Sequence, residues 1–256
     1  MPTSTSLPGF RDFYPRELAH RNAIFAAWRE AARRFGFEEY EGPTLEPLEL
    51  FTAKSGEEIV RQLYNFEDKG GRAVSLRPEM TPTLARMAGA RAGELRKPVR
   101  WFSIPQLYRY ERTQRGRLRE HYQWNVDIMG EEGVAADAEI LAVALTSFQI
   151  LGLKSEDLVA RVSDRRLLEA LLLHAGVPAD QLMATYAVVD KLSREEEPVI
   201  RGRLEKEAGL GPATVDQVFA IFTHDSFDAL RAAYADVPGV ADELARLAEY
   251  LSLIHI

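Results

Sequence analysis

LYRYERTQRGRLREHYQWNVDIMG, residues 107–130, reads as two strands joined by an arginine-rich loop. Side chains on a strand alternate between its faces. Leu107, Arg109 and Glu111 therefore share one face of the first strand, and Tyr108, Tyr110 and Arg112 share the other. On the second strand Tyr122, Trp124, Val126 and Ile128 make an apolar face. His121, Gln123, Asn125 and Asp127 make a polar one. A polar face this rich is either open to water or lines a ligand pocket. The loop between the strands, TQRGRLR at 113–119, holds three arginines and one glycine. Guanidinium forks bind phosphate oxygens in pairs, so the loop suits a polyphosphate.

The charge around this ribbon departs from the rest of the chain. Residues 91–119 carry nine basic side chains and two acids, a local +7, whereas the 256-residue chain is −7 overall. Such a patch points to a specific anionic ligand, with a solvated basic face as the alternative. The overall acidity argues against indiscriminate nucleic-acid binding. Composition is that of an ordinary globular protein, 46% apolar and 28% charged. There is no cysteine, which removes disulfides, thiolate metal ligands and a cysteine nucleophile. No apolar run approaches the roughly 20 residues of a membrane span, and the first residues lack the pattern of a secretory signal. The expected location is the cytoplasm.

Outward from the ribbon, the apolar spacing of Ile24, Phe25, Trp28, Ala31, Ala32 and Phe35 predicts a helix over 16–35, stopped by Gly36. A short strand at 37–40 closes at Gly42-Pro43, and a short helix is expected at 57–63. Asp68-Lys69-Gly70-Gly71 marks a hairpin between 64–67 and 73–77. Thr81 reads as the cap of a helix with Pro82 at its first position. A strand at 99–104 precedes the ribbon. A helix at 137–151 follows it, with Ala138, Leu141, Leu145 and Phe148 on one face. One more strand is expected at 158–162. Ser163-Asp164 then caps a helix to His174, and the remainder to Tyr250 is helical. This divides the chain into an α+β body, 1–160, and a helical module, 161–250.

The order RPEMT (77–81), then Tyr108-Arg109-Tyr110-Glu111-Arg112, Arg117, Gln123 and Asp127 resembles the first half of a class II aminoacyl-tRNA synthetase. In its detail, RPEMT and REHYQWNVDIMG, it resembles the histidyl-tRNA synthetases. The likeness covers residues 7 to about 160, and the helical module resembles their insertion domain. It implies an α+β fold with a six-stranded antiparallel sheet flanked by helices. It also implies a homodimer formed through the first helix and the strand ending at Pro43. The partners implied are histidine, ATP with Mg²⁺, and tRNA(His). No resident metal site is expected, since His20, His174 and His224 have no ligand spacing.

The resemblance also assigns roles. Arg109 would bridge the histidine carboxylate and the ATP α-phosphate, stabilising developing charge. Glu111 would contact adenine or help hold magnesium, and Arg117 would lie over the triphosphate or stack near adenine. Arg112 and Arg115 are weaker candidates. Glu79 and Thr81 would hold the α-amino group, with Met80 contributing main chain. Gln123 would reach the amino or carboxylate end. Asp127 would accept an imidazole N–H, selecting histidine because any apolar side chain would leave a buried carboxylate unpaired. Asp127 could instead be a structural acid paired to an arginine. His121 reads as a packing residue rather than a base.

A complete member of this family would carry further segments: a second histidine-binding stretch, a third class II motif and an anticodon-binding domain. None occurs in the chain, so a truncated ligase is expected, inactive alone. LSLIHI, 251–256, reads like the translation of a sequencing-adapter end and is expected not to be natural sequence. The alternative is a non-catalytic paralogue such as the regulatory subunit of ATP phosphoribosyltransferase.

Overall fold

The ribbon begins at Val99 rather than Leu107, and its ladder is broken in the middle. The computed structural model describes residues 5–60, 62–111, 114 and 116–253, with main chain only at 54–59. Two readings of the sequence fall outside these residues: the arginines at 112 and 115, and the end of the tail at 254–256. The chain forms two compact units, one reaching Leu158 and one starting at Val159.

The first unit runs α1 (Pro15–Arg34), β1 (Glu38–Glu39), β2 (Leu45–Pro47), α2 (Glu49–Val60), β3 (Asn65–Glu67), β4 (Ala73–Leu76), α3 (Thr81–Ala90), β5 (Val99–Ser103), β6 (Gln106–Tyr108), β7 (Glu120–Tyr122), β8 (Asn125–Met129) and α4 (Val134–Ile150). Its strands form three small sheets, β1-β5-β8, β2-β4-β3 and β6-β7, among the described residues. This corrects the expectation of one six-stranded antiparallel sheet. In addition, β1 pairs with β5 in parallel.

The break has a local cause. Ladder pairs run from Val99↔Met129 to Ser103↔Asn125, stop, and resume from Gln106↔Tyr122 to Tyr108↔Glu120. Pro105 has no N–H to donate. The register does not slip, so Ile104 and Pro105 face Trp124 and Gln123. Pro105 O still accepts from Gln123 N at 3.3 Å, and Arg109 N donates to Arg119 O at 2.9 Å. Beyond Arg109 the chain leaves the ladder: Tyr110 N donates to Gln62 O at 2.8 Å. Glu111 is therefore in a turn, not on the strand the sequence suggested.

The apolar face of the ribbon is the covered one. Phe102, Ile104, Trp124, Val126 and Ile128 pack with Ala32 of α1, Phe37 and Val143 of α4. Trp28 stacks on Trp124, ring centroids 5.6 Å apart, and Phe25 meets Tyr122 edge-on. On α4 the buried residues are Ala138, Val143 and Ser147, and Phe148 is exposed, so the helix is turned from the face expected. Ile24 of α1 is also exposed. The short helix expected at 57–63 starts earlier, at Glu49, where Phe51 is buried. No strand forms at 158–162, and Val159 is exposed.

The loop after β1 comes very close to α3. A Cβ added at Gly42 would lie 2.3 Å from Thr83 Cγ2. Thr83 cannot turn away freely, because it is buried and its hydroxyl donates to Glu46 Oε1 at 3.1 Å. Gly42→Ala is expected to cost about 1–3 kcal/mol by overpacking, read as a lowered urea midpoint at unchanged slope.

The second unit holds α5 (Arg165–His174), α6 (Leu182–Val189), α7 (Glu197–Lys206), α8 (Pro212–Ile221), α9 (Phe227–Ala233) and α10 (Val240–Ser252). Asp164 caps α5 as expected, accepting from Leu167 N at 3.0 Å. The same carboxylate pairs with Arg246 of α10. Leu172, Val188, Ile200, Leu204, Val215 and Leu244 lie in its core. Leu251 and Ser252, assigned to a non-natural tail by sequence, continue α10. Among the described residues no helix is long and apolar enough to cross a membrane.

Candidate functional site

The RPEMT segment leaves β4 on a buried arginine. Arg77 is 3% exposed. Its Nη1 donates to Glu41 Oε1 at 2.5 Å and Gly42 O at 2.8 Å, and its Nε donates to Gln106 O at 3.1 Å. Its main chain adds Arg77 N to Thr44 O and Tyr108 N to Arg77 O, each 3.0 Å. One side chain thus clamps the 41–44 loop to β6 and sets Pro78 and Glu79 beside Arg109.

There a cavity of about 200 Å³ is lined by Gln62, Leu63, Pro78, Glu79 and Arg109. Arg109 Nε donates to Pro78 O at 3.2 Å, which fixes the guanidinium plane. Its two Nη groups have no ion-pair partner among the described residues, and neither does the Glu79 carboxylate. A free cation and a free anion facing one small space suit a zwitterion. Gln62 and Leu63 were not singled out by sequence. They reach the cavity because the Gln62 carbonyl holds Tyr110 N, a long-range contact with no sequence signal.

Met80, not Thr81, is the N-cap of α3, which corrects the sequence reading by one position. Proline is tolerated anywhere in the first turn, where its missing N–H has no partner to lose. The Thr81 hydroxyl is exposed and not spent on capping. Met80 is fully buried against Tyr40 and Leu84. Gln123 is exposed on the ribbon. Thr81, Gln123 and Asp127 are not among the residues lining the Glu79–Arg109 cavity. Register does place Arg109, Gln123 and Asp127 on one side of the ribbon.

At the arginine-rich end, Glu111 and Arg117 form an ion pair. Arg119 Nε donates to Glu111 O at 3.3 Å, and the Arg119 guanidinium lies 4.2 Å from the Tyr110 ring centroid. Arg119 N also donates to Gly9 O at 3.0 Å. His121 is held below its usual range, first by burial and then by the Arg109 charge, so it is neutral near pH 7. Burial pushes the Asp127 carboxyl above its usual range, and its Oδ2 has no hydrogen-bond partner among the described residues. Among the described residues no arginine forms an ion pair with it. Among the described residues no three His, Asp or Glu side chains are placed to hold a metal ion.

The family profile described as histidyl-tRNA synthetase matches residues 9–256. A histidine–tRNA ligase of Opitutus terrae is 42% identical over 99% of the chain. The chloroplastic/mitochondrial histidine–tRNA ligase of Arabidopsis thaliana is 40% identical over 96%. The chain spans 58% and 50% of these relatives' lengths. Histidyl-tRNA synthetase from a Nostoc species superposes with a TM-score of 0.84 over 99% of the chain and 58% of its own, at 20% identity. A structure described as an ATP phosphoribosyltransferase regulatory subunit/histidyl-tRNA synthetase from Bacillus halodurans gives 0.79 over 99% of the chain and 65% of its own, at 18% identity. At such identities these two likenesses speak for the fold alone.

Proposed function

Because the chain belongs to the histidyl-tRNA synthetase family, we propose that it carries the histidine-activating machinery of a histidine–tRNA ligase. The observation that supports this most is the pair of opposite charges, Glu79 and Arg109, that line one small cavity with no ion-pair partner among the described residues. In this reading Glu79, helped by the Thr81 hydroxyl, holds the substrate ammonium, and Arg109 holds its carboxylate. Gln123 lies on the same side of the ribbon, at the amino or carboxylate end. The carboxylate oxygen attacks the ATP α-phosphorus and pyrophosphate leaves, so no protein nucleophile is needed. Arg109 opposes the charge that grows on the α-phosphate oxygens, and positioning supplies much of the rest. Arg117 exchanges Glu111 for the triphosphate. Glu111, so released, fits as a magnesium ligand, since that ion needs only one or two protein carboxylates beside phosphates and water. Magnesium, when bound, neutralises polyphosphate charge. The product adenylate passes its histidyl group to tRNA(His). A cytoplasmic homodimer paired through α1 and the strand before Pro43 completes the proposal.

The test is ATP–pyrophosphate exchange by the protein expressed at the full length of its relatives. Exchange that depends on histidine and on no other amino acid is expected. A non-catalytic paralogue would give none.

Asp127 offers a second handle. Its folded pKa is raised above the unfolded value of about 4. The stability it contributes is therefore complete below about pH 4 and is lost as pH rises through the folded pKa. Asp127→Asn should melt higher than the parent at pH 7, with the gain fading toward pH 4, while histidine-dependent exchange falls. An equal melting difference at both pH values would contradict this.

A further inference from the structure

Glu120, on β7, is a buried acid that the activation chemistry does not use; it is 5% exposed. It stands opposite Tyr108 in the β6–β7 ladder, on the side of the ribbon turned away from Arg109. A buried carboxylate is costly unless its oxygens are satisfied. Here each oxygen has a donor. Gln106 Nε2 donates to Oε2 at 2.7 Å, and the main-chain N of Arg11 donates to Oε1 at 2.8 Å. The Arg11 guanidinium stands off, with Nε at 3.9 Å and its side chain 45% exposed.

The contact with Arg11 ties a distant segment to the ribbon. Residues 9–13 run as a strap along the back of its outer half. Phe10 lies against Tyr108 with ring centroids 6.3 Å apart, and Phe13 meets Tyr122 edge-on at 6.2 Å. Phe10 also meets Tyr64 edge-on at 5.8 Å. The strap reaches the strand partner of Arg109 directly. Arg119 N donates to Gly9 O at 3.0 Å, and Arg119 O accepts from Arg109 N at 2.9 Å. That second bond is the last of the ladder, since Tyr110 N turns to Gln62 O. The strap thus backs the ribbon where its own pairing ends and where Arg109 projects.

We propose that Glu120 is a positioning residue: it pins residues 9–13 to the back of the ribbon, and the pinned strap holds Arg109 and Arg117 in place for ATP. This rests on the reading of those two arginines as the ones that meet ATP. The tie is made by acceptor oxygens and a main-chain donor, so it needs neither the Glu120 charge nor the Arg11 side chain. A glutamine at 120 still offers an oxygen to Arg11 N, and the Gln106 amide can turn to accept from the new NH₂ group. Alternation sets Glu120 on the face of Tyr122, Trp124, Val126 and Ile128. An acid at the end of an apolar face is the mark it leaves in the sequence.

The test is ATP–pyrophosphate exchange by variants of the protein at the full length of its relatives, with rates referred to the folded fraction measured by circular dichroism. Glu120→Ala is expected to raise the KM for ATP roughly three- to tenfold, the range for one lost hydrogen bond, and to lower kcat. Glu120→Gln and Arg11→Ala stay within twofold of the parent in both constants. Phe10→Ala loosens the strap without touching the acid and raises the same KM, so it decides the matter where Glu120→Ala does not fold. A purely structural acid would lower the folded fraction and leave the KM for ATP within twofold of the parent, and that result would overturn the proposal. So would a Glu120→Gln variant as impaired as the alanine one. Absence of histidine-dependent exchange in the parent protein would instead sink the underlying reading.

Discussion

Arg109→Ala lowers histidine-dependent ATP–pyrophosphate exchange by roughly 10- to 150-fold in the full-length protein. The figure follows from losing one charged hydrogen bond of about 1.5–3 kcal/mol in the transition state. The geometry favours a loss this large. Arg109 Nε is already committed to the Pro78 carbonyl, so the guanidinium is held in place before any ligand arrives. Its remaining amines pair with no acid among the described residues. A lysine cannot reproduce this, since an ammonium lacks the planar fork that holds Pro78 O and a ligand together. Arg109→Lys is expected to recover less than a tenth of the parent rate. Near-parental exchange by the alanine variant would remove Arg109 from the mechanism.

Arg77→Ala is the second large effect, on stability rather than on chemistry. The substitution deletes three side-chain hydrogen bonds to oxygen and one to the Met80 sulfur, and leaves the Gly42 and Gln106 carbonyls short of a donor. About 2–4 kcal/mol is expected, near the usual range for breaking a buried charged network. The Glu41 partner is 62% exposed and finds water, which keeps the loss below that of a fully buried pair. The urea unfolding midpoint should fall accordingly. A loss under about 0.5 kcal/mol would mean that the clamp contributes little and that Pro78 and Glu79 are positioned by other contacts.

Much of the site was legible because strand alternation is local. The parity of Arg109, Gln123 and Asp127 was readable from their spacing, and so was the apolar face of Trp124, Val126 and Ile128. What escaped was set by contacts distant in sequence or by competing local solutions. The approach of Tyr40 to Trp101 and Asp127 depends on a parallel pairing that no turn announces. Gln62 enters the cavity through its carbonyl, which every residue has. The buried stripe of α4 was misread because VAADAEILAVALTSFQI is apolar almost all round, so its pattern carries little phase. Residues 158–162 have strand-like side chains but no neighbouring strand among the described residues, and a lone strand has no stabilising ladder.

The missing rungs at Pro105 give the ribbon a joint. Its inner half packs on α1 and α4, and Trp124 beside the gap stacks on Trp28 of α1, while the outer half bears Arg109. The two halves keep one register yet are held by different neighbours, the outer one by the Arg77 clamp and by Phe25 against Tyr122. A substitution that loosens the support of Arg109 therefore need not displace Asp127, which rests on the other one.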